Sequence, residues 1–487
     1  MKNFINKDVV FRSFGISISL VGFFMLTAIP FAIYFNEENI AFVFIISALI
    51  SLTFGQFFIF INKNPKNTEI GERDAYIVVT LTWFMVGFFG SLPFFISSAI
   101  PSFTDAYFEA ISGFTTTGAS ILKDIESMPK SILYWRSLMQ WLGGMGILVL
   151  VIAVLPSVGL GGVKLFVAEA PGPTTTKLHP KIRNTAIKLW QVYFGLTVLL
   201  TVLLMLGKMS FFESVCHAFS TMSTGGFSPK NTSIAHYSSY IQIIITIFMF
   251  FGGLNFALHY FLIKGKILKV VTNEELVSYL LFIVFAAIII SGILFYNGNY
   301  DNLQDSLIHS FFQTVSIITT TGFATADYMI WPQVTWFLLL FLFFIGGMIG
   351  STGGNIKFTR LLVLVKNIRA EVKKILHPRA MVTIKLNQQT IPDEVVRNFF
   401  IVFVAFIVVF CLGSVTMSLF IEDPKEAMGA TIACLGNIGP AFGQFGPAGN
   451  YANLNDAGKW ILGVLMVVGR LEIIPVMIFY HFAFWRK

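Results

Sequence analysis

DAYFEAISGFTTTGA (Asp105–Ala119) is the stretch whose reading decides the fold, because it recurs three more times along the chain. The other copies read ESVCHAFSTMSTGGF (Glu213–Phe227), HSFFQTVSIITTTGF (His309–Phe323) and EAMGATIACLGNIGP (Glu426–Pro440). All four align without gaps on one glycine: Gly118, Gly226, Gly322 and Gly439. Before each glycine lies a stretch of 10–12 residues able to form a helix too short to span a bilayer. A second mark follows each copy: LGGM (Leu142–Met145), FGGL (Phe251–Leu254), IGGM (Ile345–Met348) and VGRL (Val468–Leu471). Its first glycine comes 25, 26, 24 and 30 residues after the aligned one, so two marks recur together as one structural unit.

Around these dips the chain is overwhelmingly apolar. Of its 487 residues only 12% are charged, and the mean hydropathy is +0.76. A soluble domain carries about twice that charge fraction, so the composition predicts a polytopic membrane protein. Windows free of Asp, Glu, Lys and Arg predict spans at Ser13–Phe35, Ile40–Asn62, Ala75–Thr104, Ser137–Val163 and Leu189–Gly207. Others follow at Tyr237–Ile263, Leu276–Tyr300, Tyr328–Ile356 and Asn398–Ile421, and a last near Trp460–Trp485 is interrupted by Arg470 and Glu472. The first apolar stretch is too long for a signal-peptide core, so no cleavage is expected.

Threading ten spans from a cytoplasmic N-terminus places 25 of the 33 Lys and Arg inside and 7 outside, with Arg470 in the membrane. This satisfies the positive-inside rule and puts both termini in the cytoplasm. The acids divide 10 inside to 14 outside, with Glu472 in the membrane, leaving a negative outer face that concentrates cations. The basic balance therefore reflects topology, and no nucleic acid is expected as a partner. The nine basic residues of Lys357–Arg397 and five of Lys164–Lys188 suit anionic lipid headgroups. Cys216, Cys411 and Cys434 lie in apolar segments with no CxxC spacing and read as packing residues.

Non-helical backbone survives at membrane depth only where protein buries it or water bathes it. Four copies around an axis can turn freed carbonyls inward and replace the hydration shell of a bare cation. Glycine supplies the positive φ that aims them. Thr116, Thr224 and Thr320, two residues before the glycine, offer hydroxyl ligands. Asp105, Glu213 and Glu426 open three of the short helices, whereas His309 stands at the head of the third with Asp305 one turn upstream. The competing account is four broken transmembrane helices that pack through small residues.

At these residues the chain resembles the Trk/Ktr/HKT superfamily of potassium transporters. TTTGAS (Thr115–Ser120), STGGFS (Ser223–Ser228), TTTGF (Thr319–Phe323) and GNIGP (Gly436–Pro440) look like its four filters, and GSTGGNIK (Gly350–Lys357) and VGRLE (Val468–Glu472) also match its pattern. The N-terminal hairpin and total length favour the TrkH branch. The resemblance implies an all-α polytopic membrane protein with four span–pore-loop–span repeats around a central pore, preceded by a two-helix hairpin. The units divide as hairpin 1–70 and repeats 71–163, 164–264, 265–366 and 367–487. It further implies potassium uptake across the cytoplasmic (inner) membrane through a gated, selective pore. Potassium-binding filter residues would be Thr116, Thr117, Gly118, Thr224, Gly225, Gly226, Thr320, Thr321, Gly322, Asn437, Ile438 and Gly439, with potassium the only ion and no organic cofactor in this chain. Asn437 departs from the threonine pattern, and an uneven filter of this kind predicts modest selectivity over sodium.

Gly346, Gly350 and Gly354 make two overlapping GxxxG steps, with Gly347, Ser351, Thr352, Gly353 and Asn355 among them. The stretch reads either as close helix packing or as a helix break that plugs the path. Arg470 stands where the other units have Gly144, Gly253 and Gly347. It reads as a charge facing water in the path, or as one half of a structural salt bridge with an acid other than Glu472, which sits on the opposite helix face. The family adds a homodimer and a cytosolic, nucleotide-binding RCK subunit (TrkA-like); no Walker or GxGxxG motif occurs here. A symporter coupling potassium to sodium or protons is the alternative. An enzyme is disfavoured by the absence of HExxH and of a carboxylate cluster at membrane depth.

Overall fold

The computed structural model describes residues 5–62, 71–146 and 182–477. Its first element is a helical hairpin. Lys7–Met25 continues through a 3-10 turn into Ile29–Tyr34, and Glu38–Ile61 returns alongside it. The two arms close on Gly15 and Gly55, where a Cβ on Gly15 would lie 2.6 Å from the Gly55 carbonyl. Between them the Glu37 carboxylate accepts from the main-chain N–H groups of Lys130 (2.6 Å) and Ser131 (3.0 Å). These N–H groups are orphans of the helix Lys130–Gly144, so the hairpin fixes where that helix begins.

Four units of span, short helix and second helix follow. The leading spans are Glu72–Ile96, Ile182–Leu206, Glu274–Tyr296 and Asp393–Met417. The short helices are Phe103–Phe114, Phe211–Met222, Leu303–Ile318 and Pro424–Leu435. Three begin on polar caps: Ser102 accepts from Asp105 N–H, Ser210 from Glu213 N–H, and Asp423 from Lys425 N–H. The third begins earlier than its alignment predicts. It has 16 residues against 12 for the others, Asp305 occupies its first turn, and His309 lies within it. All four short helices therefore carry an acid in the first turn.

The second helices depart most from expectation. A break is predicted in the third unit only, yet in each unit the helix stops at or just before the second mark: Lys130–Gly144, Ser239–Gly253, Gln333–Leu342 and Asp456–Arg470. In the second unit the chain turns through 104° into Phe256–Ile263. In the fourth, Glu472 (φ 56°) and Ile473 (φ 71°) take left-handed backbone before Ile474–Met477. Consequently six helices among the described residues are long and apolar enough to cross a membrane, or seven with the bent pair counted as one. The ends of the spans expected at Ser137–Val163 and Trp460–Trp485 lie outside the described residues, as does much of the basic connection Lys164–Lys188. After the third unit's break, Phe358–Leu376 leads to a two-stranded hairpin, Lys385–Leu386 with Gln389–Thr390.

Candidate functional site

The four short helices end in the same way. Each places one residue in left-handed backbone immediately after its C-cap: Thr116 (φ 55°), Thr224 (φ 53°), Thr320 (φ 61°) and Asn437 (φ 55°). Each then closes a Schellman motif. In the first unit Thr116 N–H donates to Gly113 O (3.0 Å) and Thr117 N–H to Ser112 O (2.9 Å). The same pair recurs as Thr224 to Thr221 and Gly225 to Ser220, Thr320 to Ile317 and Thr321 to Ser316, and Asn437 to Cys434 and Ile438 to Ala433. Two residues after each left-handed turn the aligned glycine takes another: Gly118 (81°), Gly226 (79°), Gly322 (79°) and Gly439 (95°). In each loop two successive N–H groups are spent on its own helix, while the carbonyls are left as acceptors able to face outward. The intervening residue has negative φ, and alternating handedness turns successive peptide groups to one side.

These loops close a ring. A Cβ on Gly118 would lie 2.2 Å from Gly225 O, and one on Gly226 would lie 2.0 Å from Thr321 O. One on Gly322 would lie 2.0 Å from Ile438 O, and one on Gly439 would lie 2.5 Å from Thr117 O. Each glycine thus abuts the carbonyl just before the glycine of the next unit, and the fourth returns to the first. The four glycines share a cavity of about 150 Å³ on one side of the ring. At its margin Asp124 accepts from the Asn231 amide at 2.9 Å. That hydrogen bond, foremost, holds the Asp124 carboxyl below its ordinary range.

Beneath the ring the interrupted third-unit helix crosses from one unit to another. Thr352 Oγ1 reaches Met222 O and Gly252 O, both at 3.1 Å, and accepts from Thr224 Oγ1 at 3.2 Å, all in the second unit. Gly354 N–H donates to Thr320 Oγ1 (2.9 Å) in the third unit. A Cβ on Gly354 would meet Asn437 of the fourth at 2.6 Å. Arg470, from the fourth unit, donates to Thr352 O (2.5 Å) and to Gly143 O (2.5 Å) and Gly144 O (2.8 Å) of the first. Loop and arginine together therefore touch all four units directly under the ring. Gly350 (φ 81°) and Asn355 (φ 64°) supply the loop's reversals, Met348 N–H donates to Gly253 O, and Lys357 Nζ donates to Gly353 O.

Several expectations change. Two of the threonine hydroxyls are engaged with the loop, while Thr116 Oγ1 and Asn437 Oδ1 are buried without a hydrogen-bond partner. Orphaned oxygens at this depth suit a bare cation as ligand. Asn437 differs from the threonines in chemistry but shares their left-handed conformation. In the third unit the close approach to the short-helix ends is made by Gly353, where a Cβ would lie 2.8 Å from Thr319 O, and Gly354, where one would lie 3.0 Å from Gly436 O. Gly346 and Gly347 lie instead along the loop itself, where Phe358 N–H donates to Gly347 O and Ser351 lies beside Gly347. Arg470 is half-buried and held by three carbonyls. Glu472 pairs with Arg360. Gln140 and the buried pair Arg136–Glu109 (2.7 Å) stand behind the ring and went unnoticed in the sequence.

Comparison with known proteins bears on this geometry. The family model TrkH, described as "Cation transport protein", matches residues 40–484. The Trk system potassium uptake protein TrkH of Halomonas elongata is 35% identical, over 98% of this chain and 99% of that protein. The TrkH protein of Salmonella typhimurium is 37% identical, over 90% and 91%. The crystal structure of the potassium transporter TrkH from Vibrio parahaemolyticus superposes with a TM-score of 0.88 at 35% identity, covering 98% of this chain and 99% of that one.

Proposed function

Since the chain belongs to the TrkH family of cation transport proteins, we propose that the ring of four loops is its potassium filter and the third-unit loop its gate. The chain is a membrane-embedded potassium uptake protein, not an enzyme. The single observation that supports the filter is the closed contact of each aligned glycine with the next unit's carbonyl. A ring of carbonyls replaces the water around a dehydrated potassium ion. The short helices add their partially negative C-terminal ends from four sides.

In the same reading the units are 1–70 for the hairpin and 71–163, 164–264, 265–366 and 367–487 for the repeats. The protein lies in the cytoplasmic membrane with both termini inside, as a homodimer that docks a nucleotide-binding RCK subunit on its basic cytoplasmic face. The loop under the ring, latched by Arg470, makes this the closed conformation, and opening withdraws the loop.

Ion flux into vesicles holding this chain alone tests the proposal. Potassium and rubidium should pass ahead of sodium and lithium, and flux should follow the potassium gradient without any sodium or pH gradient. Equal passage of all four ions would overturn the filter. Flux that requires a second gradient would replace the channel with a symporter.

A further inference from the structure

The second loop lacks a side chain at a position where the other three carry one. Where the first, third and fourth have Thr117, Thr321 and Ile438, it has Gly225. In the first loop Thr117 Oγ1 pairs with Thr115 Oγ1 (2.8 Å), and in the third Thr321 Oγ1 pairs with Thr319 Oγ1 (2.7 Å). Ile438 fills the same place with a fully buried apolar side chain. Two adjacent glycines, Gly225 and Gly226, have no side chain with which to hold their backbone, and glycine has the most conformational freedom to lose.

The space is filled from the neighbouring unit. A Cβ on Gly225 would lie 2.5, 2.7 and 2.8 Å from the amide atoms of Gln140. Gln140 Nε2 donates to Gly225 O at 2.6 Å, and its Oε1 accepts from Phe227 N–H at 3.0 Å. One amide thus grips the main chain on both sides of Gly226. Gln140 is fully buried, so neither bond competes with water. One helical turn earlier, Arg136 lies 3.9 Å from the centre of the Phe227 ring and donates to Ser228 O. Both side chains come from the helix Lys130–Gly144, whose start the N-terminal hairpin fixes through Glu37.

The geometry points to Gln140 as a selectivity-determining positioning residue, supplying to the second filter loop from the first unit the support that a side chain supplies within the other three. This rests on the filter reading above. With Gln140 bonded to Gly225 O on one side of Gly226 and to Phe227 N–H on the other, the Gly225 carbonyl keeps a fixed place in the ring. Released, it relaxes toward smaller ions, so discrimination falls before conduction does.

The test is a double-substitution cycle on the full chain in vesicles, reading rubidium against sodium uptake. Gln140→Ala should lower the ratio about five- to thirtyfold, the worth of one to two buried hydrogen bonds. Gly225→Thr alone should lower it as well, because the new Cβ meets the glutamine amide. Gly225 has no positive φ, so threonine fits its backbone once that amide is gone. The pair Gln140→Ala with Gly225→Thr should therefore recover most of the lost ratio. A purely structural glutamine would give no such recovery. Wild-type selectivity in Gln140→Ala, or a double variant worse than both singles, overturns the inference. Gly226→Ser, assayed in parallel, keeps the two readings apart: if it leaves the ratio unchanged, the filter reading itself fails.

Discussion

The guanidinium of Arg470 donates to the main-chain carbonyl of Thr352 at 2.5 Å, joining the end of the fourth unit to the loop that interrupts the third. Its other nitrogen holds Gly143 O and Gly144 O of the first unit. The arginine is thus both a latch on the loop and a positive charge under the ring. A potassium ion about 6 Å from that charge meets roughly 3 kcal/mol of repulsion at an effective dielectric of about 20. Removing a barrier of that size speeds flux by about two orders of magnitude. Arg470→Ala should raise potassium flux toward that limit. Arg470→Lys separates the two roles, since lysine keeps the charge and loses the planar fork. Flux near the alanine level identifies the latch, and flux near wild type identifies the charge. Unchanged flux in well-folded Arg470→Ala would remove the arginine from gating.

Thr352 is the loop's own anchor. Thr352→Val preserves the shape and removes the hydroxyl that reaches Met222 O, Gly252 O and Thr224. On the proposed gate reading, losing about 1 kcal/mol of hydrogen bonding under the ring should raise the open probability about fivefold in single-channel recordings, with the rubidium-to-sodium ratio unaltered. Deleting Gly350–Gly354 should raise flux further. A folded deletion variant that conducts at the original rate would rule out the loop as a plug.

Ring closure predicts a shared sensitivity of the four glycines. Gly226→Ala would set a methyl 2.0 Å from Thr321 O, and Gly322→Ala one equally close to Ile438 O. Both positions also have positive φ, which costs an alanine about 1–2 kcal/mol. Each variant should lose potassium-over-sodium discrimination, as should those at Gly118 and Gly439. Retention of the ratio in all four would separate the loops from ion selection.

Much of this arrangement is legible in the residues themselves, and the reasons are local. Gly118, Gly226, Gly322 and Gly439 announce themselves because only glycine takes the second left-handed turn cheaply, so the residue type repeats with the conformation. The first left-handed turn hides, because threonine disfavours it and sequence gives no hint that Thr116, Thr224 and Thr320 adopt it. Breaks at Gly144 and Gly253 hide inside continuous apolar runs, where composition alone reads as an unbroken span. Gln140 lies 85 residues from Gly225, and a contact across two units leaves no local pattern.

The buried pair Arg136–Glu109 yields a prediction of stability. Both side chains are almost wholly buried, and the Glu109 carboxylate also accepts from Ile121 N–H (2.9 Å) and Ser120 Oγ (3.0 Å). Arg136→Leu leaves that carboxylate facing the interior without its partner, a loss of roughly 3–5 kcal/mol. Arg136→Leu with Glu109→Leu should be milder than either single change, since no uncompensated charge remains. Thermal unfolding in detergent measures the three variants, and a double variant as unstable as the sum of the singles would refute the coupling.

Asn437 and Thr116 occupy the same left-handed position in two units, yet exchange of their side chains should have opposite effects. Asparagine tolerates positive φ far better than a β-branched residue does. Thr116→Asn therefore relieves strain, and Thr116 Oγ1 has no hydrogen bond to lose. That variant should gain about 0.5–1 kcal/mol. Asn437→Thr works against the backbone and discards two bonds from Nδ2, to Thr117 Oγ1 and Met466 O, both at 2.9 Å. The first of these ties the fourth loop to the first, so its loss also loosens the ring where it closes. Asn437→Thr should cost about 2–3 kcal/mol, the sum of two hydrogen bonds and the left-handed strain. Unfolding midpoints moving in opposite directions would support the shared left-handed position. Equal shifts of one sign would mean that packing, not backbone conformation, chooses the residue there.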